Sequence, residues 1–412
     1  MNLQLRQDAE YIARNAIDAV KPDAAVQRAL EQVKLTDSVY LVAVGKAAWQ
    51  MASAAVKYLR KPIQKGIVVT KYDHVMGEIP GVVCYEAGHP VPDENSFSAT
   101  QAVLDMTENL TEKDTVLFLL SGGGSALFEK PLVDGAILQD VTKKLLARGA
   151  DITEINTIRK RLSGVKGGRF AAHCAPAGVE SIILSDILGD PVDMIASGPA
   201  AADSTTAEEA RAIAAEYGVD ALEEVRCCLR QETPKEVPNV HTQIIGSVRE
   251  LCRAAEKAAA ALGYGCIFLS DCLDGEASDT GRWMAEELRK HAGAGKKIAL
   301  LAGGETVVHL KGNGLGGRNQ ELVLAAAEVL DGIPNTALIS VGSDGTDGPT
   351  DAAGGYVDGD TARELTEKGM DIKAYLENND AYHALQAVNS LIITGPTGTN
   401  VNDVTIGLIQ ER

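Results

Sequence analysis

The sequence lacks the marks of a secreted or membrane-spanning protein. Its seven cysteines include no C-x-x-C pair, so neither a disulfide framework nor a zinc site is expected. Its longest uncharged apolar run, residues 115–128, is shorter than the roughly 18 residues that a spanning helix needs and contains consecutive glycines. The N-terminus has Ile12, Ala16 and Val20 on one helical face, which predicts a docking helix rather than a signal peptide. We therefore expect a cytoplasmic protein without a membrane span.

Positive charge is also scarce. The formal net charge is −18 at pH 7 and the isoelectric point is near 4.9. Binding to nucleic acid or to an anionic membrane needs many uncompensated cations, so neither partner is expected. An anionic ligand would have to meet positive charge that is concentrated locally.

Three common catalytic motifs are missing. The sequence contains no G-x-x-x-x-G-K-[ST] phosphate loop, no G-x-S-x-G nucleophile elbow and no H-E-x-x-H metal motif. These absences argue against a P-loop nucleotidase, an α/β-hydrolase and a zinc peptidase.

What the sequence does contain is an alternation of short apolar runs with amphipathic segments. Runs that end in glycines, hydroxyls or carboxylates predict buried strands of parallel sheets at residues 39–45, 66–71, 115–124, 181–190, 243–247, 266–271, 298–304, 337–342 and 390–395. The segments with helical periodicity between them include residues 47–59, 131–148, 206–217, 250–262, 279–291 and 319–330. This alternation predicts an α/β protein with doubly wound sheets.

The length of the chain predicts two domains. At 412 residues it exceeds the roughly 250–300 residues at which one hydrophobic core stops growing. Residues 231–239, which carry two prolines and mixed charges, interrupt the alternation and place the boundary between domains 1–237 and 238–412. Open parallel sheets bind ligands beyond the carboxyl ends of their strands, where this chain has its glycines and carboxylates. We expect the active site in a cleft between the domains.

Two strand ends are candidate anion sites. Ser121, Gly122, Gly123, Gly124 and Ser125 follow the predicted strand at 115–120, and their backbone N–H groups could cradle a phosphate or carboxylate of a cofactor. A tight turn is the alternative. Lys46 follows the first strand, where N–H groups and a cation would converge, with a solvated lysine at a helix start as the alternative.

Residues 156–169 concentrate positive charge in an otherwise acidic chain. Glycines are interleaved with Lys166 and Arg169, which suggests a backbone held close to an anion and makes Lys166 a candidate cofactor-binding residue. A solvated basic helix end and a contact between the domains are the alternatives.

Asp186 and Asp190 lie on one loop after a predicted strand. Two carboxylates near phosphates commonly hold Mg²⁺ or accept the proton of a substrate hydroxyl, so both are predicted metal ligands and Asp186 is also a candidate catalytic base. Turn formation is the alternative for either residue.

Glu305 ends another predicted strand and precedes a glycine-rich stretch. Residues 312–317 match G-x-G-x-x-G, but the predicted strand before them, residues 306–310, is short and polar-ended, and no acid closes the next strand at the spacing of a dinucleotide site. Arg318, among the first residues of the following helix, instead predicts a charge aimed at a transferring phosphoryl group. Loops 343–351 and 394–403 are expected to line the site.

Six ordered segments together resemble the class II glycerate kinases, also called the MOFRL family. They are residues 44–48, 121–125, 159–168, 303–306, 316–321 and 342–348, and the resemblance runs essentially from end to end. It implies a Rossmann-like N-terminal domain and a smaller C-terminal α/β domain. It also implies the ATP-dependent phosphorylation of D-glycerate, most commonly to 2-phosphoglycerate, with ADP as the second product.

The same resemblance implies the site residues. The family's catalytic lysine and arginine match Lys46 and Arg318, and its acidic positions are matched by Asp186, or alternatively Asp190, and by Glu305. ATP, Mg²⁺ and D-glycerate are the expected partners, and the oligomeric state is left open, with a homodimer as one option.

Two other interpretations compete. Relatives of this kind are also named hydroxypyruvate reductases, which would use NAD(P)H and the G-x-G-x-x-G match. The other interpretation is a non-catalytic sugar-acid binding protein whose two lobes close on a ligand.

Overall fold

The computed structural model describes residues 2–59, 61–293 and 295–410, which form two compact units. The parallel-sheet unit comprises Pro22–Ile245, and the mixed-sheet unit comprises Met1–Lys21 and Gly246–Arg412. Among the described residues, no helix is both long enough and apolar enough to cross a membrane. The seven cysteines are all free thiols.

The parallel-sheet unit is a six-stranded sheet with the order β3-β2-β1-β4-β5-β6, the order of Rossmann folds. Its strands are β1 Ser38–Val44, β2 Lys65–Lys71, β3 Val82–Ala87, β4 Asp114–Leu120, β5 Gly178–Leu184 and β6 Val240–Gly246. Its helices are α2 Pro22–Leu30, α3 Ala48–Tyr58, α4 Glu94–Thr107, α5 Gly124–Leu127, α6 Gly135–Ala147, α7 Ile152–Arg161, α8 Arg169–Cys174, α9 Ala207–Glu216 and α10 Glu223–Leu229. The pairings β1–β2, β1–β4, β2–β3 and β4–β5 are parallel, so the carboxyl ends of these strands lie at one edge.

The mixed-sheet unit is also built on six strands, in the order β11-β10-β9-β12-β8-β7. Its strands are β7 Gly265–Leu273, β8 Ile298–Gly304, β9 Thr336–Gly342, β10 Gly354–Asp358, β11 Leu391–Ile392 and β12 Asp403–Ile409. Its helices are α1 Leu3–Ala19, α11 Val248–Ala261, α12 Ala277–His291, α13 Arg318–Leu330, α14 Thr361–Glu367, α15 Ile372–Glu377 and α16 Ala381–Ala387.

The α/β class and the two-domain organisation are confirmed, but the second sheet differs from the expected parallel one. Only β7 and β8 pair in parallel, whereas β12 runs antiparallel to both β8 and β9. The sequence patterns did not identify β3, β10 or β12, and only two residues of the predicted strand 390–395 form one. A completely buried strand gives no alternating pattern that would reveal its direction.

The structure also divides the chain at a different place from the predicted boundary at residue 238. Residues 240–246 form β6 at the edge of the first sheet, so that unit extends to Ile245. Helix α1 packs on α11, β9 and β12, and its buried Asp8 accepts a 2.7 Å hydrogen bond from the hydroxyl of Tyr264. The N-terminal helix therefore belongs to the mixed-sheet unit, which is consistent with a docking role.

The contact between α12 and α13 gives a prediction for stability. A β-carbon added at Gly281 in α12 would lie 1.9 Å from the carbonyl oxygen of Leu322 in α13. Gly281→Ala is therefore expected to lower the free energy of unfolding by about 2 kcal/mol through overpacking, although alanine favours helices. Urea denaturation measures this change.

The matched control is Gly275→Ala. This exposed glycine would bring a β-carbon only to 3.5 Å from the hydroxyl of Thr280, which is an ordinary contact, so a change within about 0.5 kcal/mol is expected. Equal effects of the two substitutions would contradict the packing argument.

Candidate active site

In the parallel-sheet unit, the carboxyl ends of β1 and β4 are joined by short polar contacts. The backbone N–H of Lys46 donates to the carbonyl of Gly122 at 2.8 Å, and the N–H of Ala47 donates to the hydroxyl of Ser121 at 3.1 Å. Ser121 is only 1% exposed, so its hydroxyl supports the loop from within. The structure thus brings Lys46 to the glycine loop that the sequence singled out.

The glycines of this loop give space to neighbouring side chains. A β-carbon at Gly122 would lie 2.0 Å from Oδ2 of Asp186. A β-carbon at Gly123 would lie 3.0 Å from the ring of His89 and 3.2 Å from Cε of Lys46. Lys46, His89 and Asp186 therefore surround the loop, and larger residues at positions 122 and 123 would displace them.

The last two residues of the loop face the interior of the same unit. A β-carbon at Gly124 would lie 2.6 Å from Cβ of Ala196. The hydroxyls of Ser125 and Ser197 are 2.9 Å apart, and Ser197 in turn donates to Asn156 at 2.7 Å. The predicted cofactor contacts of Gly124 and Ser125 remain untested, and these internal contacts account for both residues structurally.

Sequence reasoning missed a group of basic side chains beside Lys46. Burial lowers the pKa of His89, and the positive charges of Lys46, Lys71 and His74 lower it further, so the His89 ring is neutral at pH 7. The Nδ1 atom of His74 donates to the carbonyl of Lys46 at 3.0 Å. Lys46 follows β1, His74 follows β2 and His89 follows β3. Because the sequence did not predict β3, it did not indicate that His89 lies at a strand end.

Lys166 has a different setting from the one predicted. It is fully buried, and its ammonium donates to the carbonyl of Phe128 at 2.7 Å and lies 3.2 Å from Oε2 of the buried Glu129. Burial lowers its pKa to about 8, against the opposing charge of Glu129. Because the ammonium of Lys166 is engaged in interior contacts behind the loop, the structure favours a role in supporting the loop over direct cofactor binding.

Two further cations of the basic segment, Lys160 and Arg161, are buried rather than solvated. The ammonium of Lys160 lies 3.0 Å from Asp203 and 3.2 Å from Asp193, and Arg161 lies 3.5 Å from Asp203 and 3.4 Å from Glu232. Both cations are completely inaccessible. The interpretation as a solvated helix end is therefore wrong, and these ion pairs form an internal network of the parallel-sheet unit.

In the mixed-sheet unit, Arg318 opens α13 between two carboxylates. Its Nε and Nη2 donate to the two oxygens of Asp403 at 2.6 and 3.0 Å, and its Nη1 donates to Glu305 at 2.6 Å. Burial raises the pKa of Asp403 to about 6 even though Arg318 opposes the shift. For Arg318, burial acts to lower the pKa, but the charges of Asp403, Glu305 and Asp347 raise it overall, so the guanidinium is always charged.

Asp347 fixes the start of the helix that carries Arg318. Its carboxylate accepts the backbone N–H groups of Asn319 and Gln320 at 3.1 and 2.9 Å. A β-carbon at Gly317 would lie 2.3 Å from Cγ of Asp347, so the glycine permits this close approach. The motifs 316–321 and 342–348, which are distant in sequence, therefore form one structure.

The G-x-G-x-x-G match at residues 312–317 lacks the context of a dinucleotide site. Strand β8 ends at Gly304, and residues 305–317, all of them described, contain no strand of their own. The stretch instead runs along residues 378–380, with the Leu315 N–H donating to Asp380 at 3.0 Å. A dinucleotide fingerprint needs a strand that leads directly into its glycine turn, so this match carries no dinucleotide prediction.

The acids after β5 fit a metal ion only in part. Asp190 adopts a left-handed conformation with φ of 54° in the turn that follows Asp186. Within the part of the chain that the structure describes, no group of three or more His, Cys, Asp or Glu side chains could hold a metal. Mg²⁺ commonly keeps several waters and binds one or two carboxylates together with substrate phosphates. The assignment of Asp186 and Asp190 as metal ligands stays a prediction.

Comparison with known proteins extends over both units. Residues 8–230 match a family model described as a domain of unknown function (DUF4147), and residues 298–403 match the MOFRL family. The D-glycerate 2-kinase of Thermotoga maritima is 53% identical over 98% of each chain. The chain belongs to the glycerate kinase family.

Other members of the glycerate kinase family agree in fold. A crystal structure of glycerate kinase from Thermotoga maritima superposes with a TM-score of 0.95 at 52% identity, covering 99% of this chain and 100% of that one. A protein of Agrobacterium vitis that is provisionally named a hydroxypyruvate reductase is 38% identical over 99% of this chain and 95% of its own. The resemblance inferred from the six segments is thereby confirmed.

The two lysines near the glycine loop of this glycerate kinase family member should contribute very differently to stability. Lys166→Met leaves Glu129 buried without its lysine partner, so we expect the free energy of unfolding to fall by about 3 kcal/mol. Lys46→Met, at a partly exposed position, should change it by less than about 1 kcal/mol. Urea denaturation compares the two variants. A Lys166→Met protein of normal stability would contradict the supporting role.

Proposed function

We propose that the chain transfers the terminal phosphate of ATP to D-glycerate and releases 2-phosphoglycerate and ADP. The observation that carries the proposal is the grouping of Lys46, the glycine loop and Asp186 at the carboxyl edge of the parallel sheet. Phosphoryl transfer needs positioning and charge neutralisation more than covalent help, and this edge offers a cation, an acid and backbone N–H groups. The relative named D-glycerate 2-kinase supports the choice of substrate and product.

In the proposed reaction, a glycerate hydroxyl attacks the γ-phosphorus and the bond to the β–γ bridging oxygen breaks. Asp186 accepts the hydroxyl proton, and ADP leaves with the bridging oxygen. Lys46 neutralises charge on the phosphoryl oxygens, and Arg318 is assigned a phosphate-binding role. Mg²⁺, for which Asp186 and Asp190 are the proposed ligands, supplies further neutralisation of the phosphates when bound.

Glu305 has a separate proposed role. Its carboxylate is 45% exposed and contacts Nη1 of Arg318, so it can respond to a ligand that approaches this nitrogen. Because the Glu305 carboxylate contacts Arg318, it controls when the guanidinium is available to a phosphate. We assign Glu305 to the active site on this basis.

The basic side chains beside Lys46 are proposed to bind the carboxylate of the substrate. Lys71 places a positive charge next to the glycine loop in an otherwise acidic protein, and the rings of His74 and His89 lie beside it. A neutral His89 can donate a hydrogen bond to a carboxylate without requiring a proton from solvent. This assignment leaves Lys46 for the phosphates.

A cytoplasmic location belongs to the same proposal, and cell fractionation tests it.

A homodimer is the oligomeric state considered in the same proposal. Analytical ultracentrifugation of the purified chain distinguishes a homodimer from a monomer.

The first kinetic prediction concerns Arg318. Arg318→Ala should lower kcat by about 1000-fold or more, because an arginine that neutralises a transferring phosphoryl group contributes at least that much in known cases. ADP formation that depends on D-glycerate is the measurement, and phosphorus NMR identifies the product.

Two controls make this test specific. Arg363→Ala removes an arginine from the same unit that is 59% exposed and paired with Asp360, and it should retain full activity. Oxidation of NADH that depends on hydroxypyruvate, without ADP formation from glycerate, would replace the kinase proposal with the reductase. Glycerate binding without either reaction would support a binding protein.

The second kinetic prediction concerns His89. His89→Ala should raise KM for D-glycerate about 10-fold while KM for ATP changes little, because a hydrogen bond to a charged group is lost. His241→Ala, at an exposed histidine paired with Glu180 in the same unit, is the control. An unchanged KM for D-glycerate would remove His89 from the substrate site.

A further inference from the structure

Asp403 occupies a rigid position at the centre of the mixed sheet. It is the first residue of β12, the strand between β9 and β8, and its backbone is in register with Gly304 and Gly342. Glu305 follows the first of these glycines, and the loop with Asp347 follows the second. Three strand ends thus direct carboxylates toward Arg318, which comes from a helix.

The contact between Asp403 and Arg318 determines the orientation of the guanidinium plane. Both oxygens of Asp403 are engaged, by Nε and Nη2, and the Asp403 side chain is only 7% exposed. A planar guanidinium held by two parallel hydrogen bonds cannot rotate without losing both. The remaining nitrogen, Nη1, therefore points in a direction that β12 determines.

Glu305 contacts that remaining nitrogen, but less firmly than Asp403 holds the other two. It makes a single 2.6 Å contact with Nη1, and its side chain is 45% exposed. A solvent-exposed ion pair with one hydrogen bond contributes little stability and is readily exchanged. An anionic ligand that approaches Nη1 would compete with the Glu305 carboxylate for the same donor.

We propose that Asp403 is a positioning residue that aims Nη1 of Arg318 at a phosphate group, and that Glu305 holds this nitrogen until the phosphate displaces it. The inference rests on the proposed function of Arg318 as a phosphate-binding residue. It assigns opposite effects to two carboxylates that contact the same guanidinium. Simple electrostatic repulsion of a polyanion would give both the same sign.

The test measures ATP binding by isothermal titration calorimetry, in the presence of Mg²⁺ and without glycerate. Asp403→Asn should weaken binding about 10-fold, because a charged bidentate contact is lost and Arg318 is no longer aimed. Glu305→Gln should strengthen binding roughly 2- to 5-fold, because the competing anion is removed. In an Arg318→Ala background, neither substitution should change the affinity.

The control variant and the outcomes that contradict the inference are read from the same measurement of ATP affinity. Asp8→Asn changes another buried acid of the mixed-sheet unit, which contacts Tyr264 and Lys297, and should leave ATP affinity unchanged. Changes of the same sign for Asp403→Asn and Glu305→Gln, or effects that persist without Arg318, would overturn the inference. If the unsubstituted chain binds no ATP, the proposed function itself fails.

A second variant covers the case in which Asp403→Asn does not fold, which circular dichroism detects. Arg318→Lys retains the positive charge but cannot make the two parallel contacts with Asp403. It should weaken ATP binding about as much as Asp403→Asn. Affinity that is unchanged in Arg318→Lys would also overturn the inference, because the orientation of a planar group would then be irrelevant.

Discussion

Burying a charged side chain costs free energy unless an opposite charge and hydrogen bonds meet it, and both units bury several such charges. In the parallel-sheet unit, Lys160 shares Asp203 with Arg161, and Lys166 lies against Glu129. In the mixed-sheet unit, Arg318 meets Asp403. The partners come from distant parts of the chain, so these charges are compensated only when the strands and helices are correctly placed. The acidic composition is therefore misleading about the interior, where cations and acids are matched.

Close approach of the backbone is the second condition for these arrangements. Gly122 permits Asp186 to lie against the loop after β4, and Gly317 permits Asp347 to reach the start of α13. In both cases the glycine serves a carboxylate of the protein itself. A glycine-rich segment that looks like a ligand cradle in sequence is thus first an adaptation to a neighbouring side chain. Any ligand bound there would meet a surface whose shape is already determined by these contacts.

The sequence predicts local features well and long-range partners poorly. Strand β1, the glycine loop and helix α13 were identified because apolar runs and glycines mark strand ends directly. Asp403 was identified only as part of a lining loop, since nothing local indicates that a residue 85 positions from Arg318 is its partner. Lys166 was predicted to bind a cofactor because glycines surround it in sequence, although its side chain is buried against Phe128 and Glu129. His89 was missed because β3 is partly exposed and less apolar than the strands beside it.

The balance of charge around Arg318 explains why an anion could bind among acids. Asp403, Glu305 and Asp347 all act on one guanidinium, so the cluster carries more negative than positive charge when every acid is ionised. Burial raises the pKa values of both Asp403 and Asp347 and brings Asp403 to about 6, so protonation of Asp403 offsets this excess only as the pH falls to about that value. Glu305 is the exposed member, so it is the acid that can move away at the lowest cost. Under the proposed function, a phosphate therefore reaches Arg318 by replacing Glu305, the one exposed carboxylate of the three.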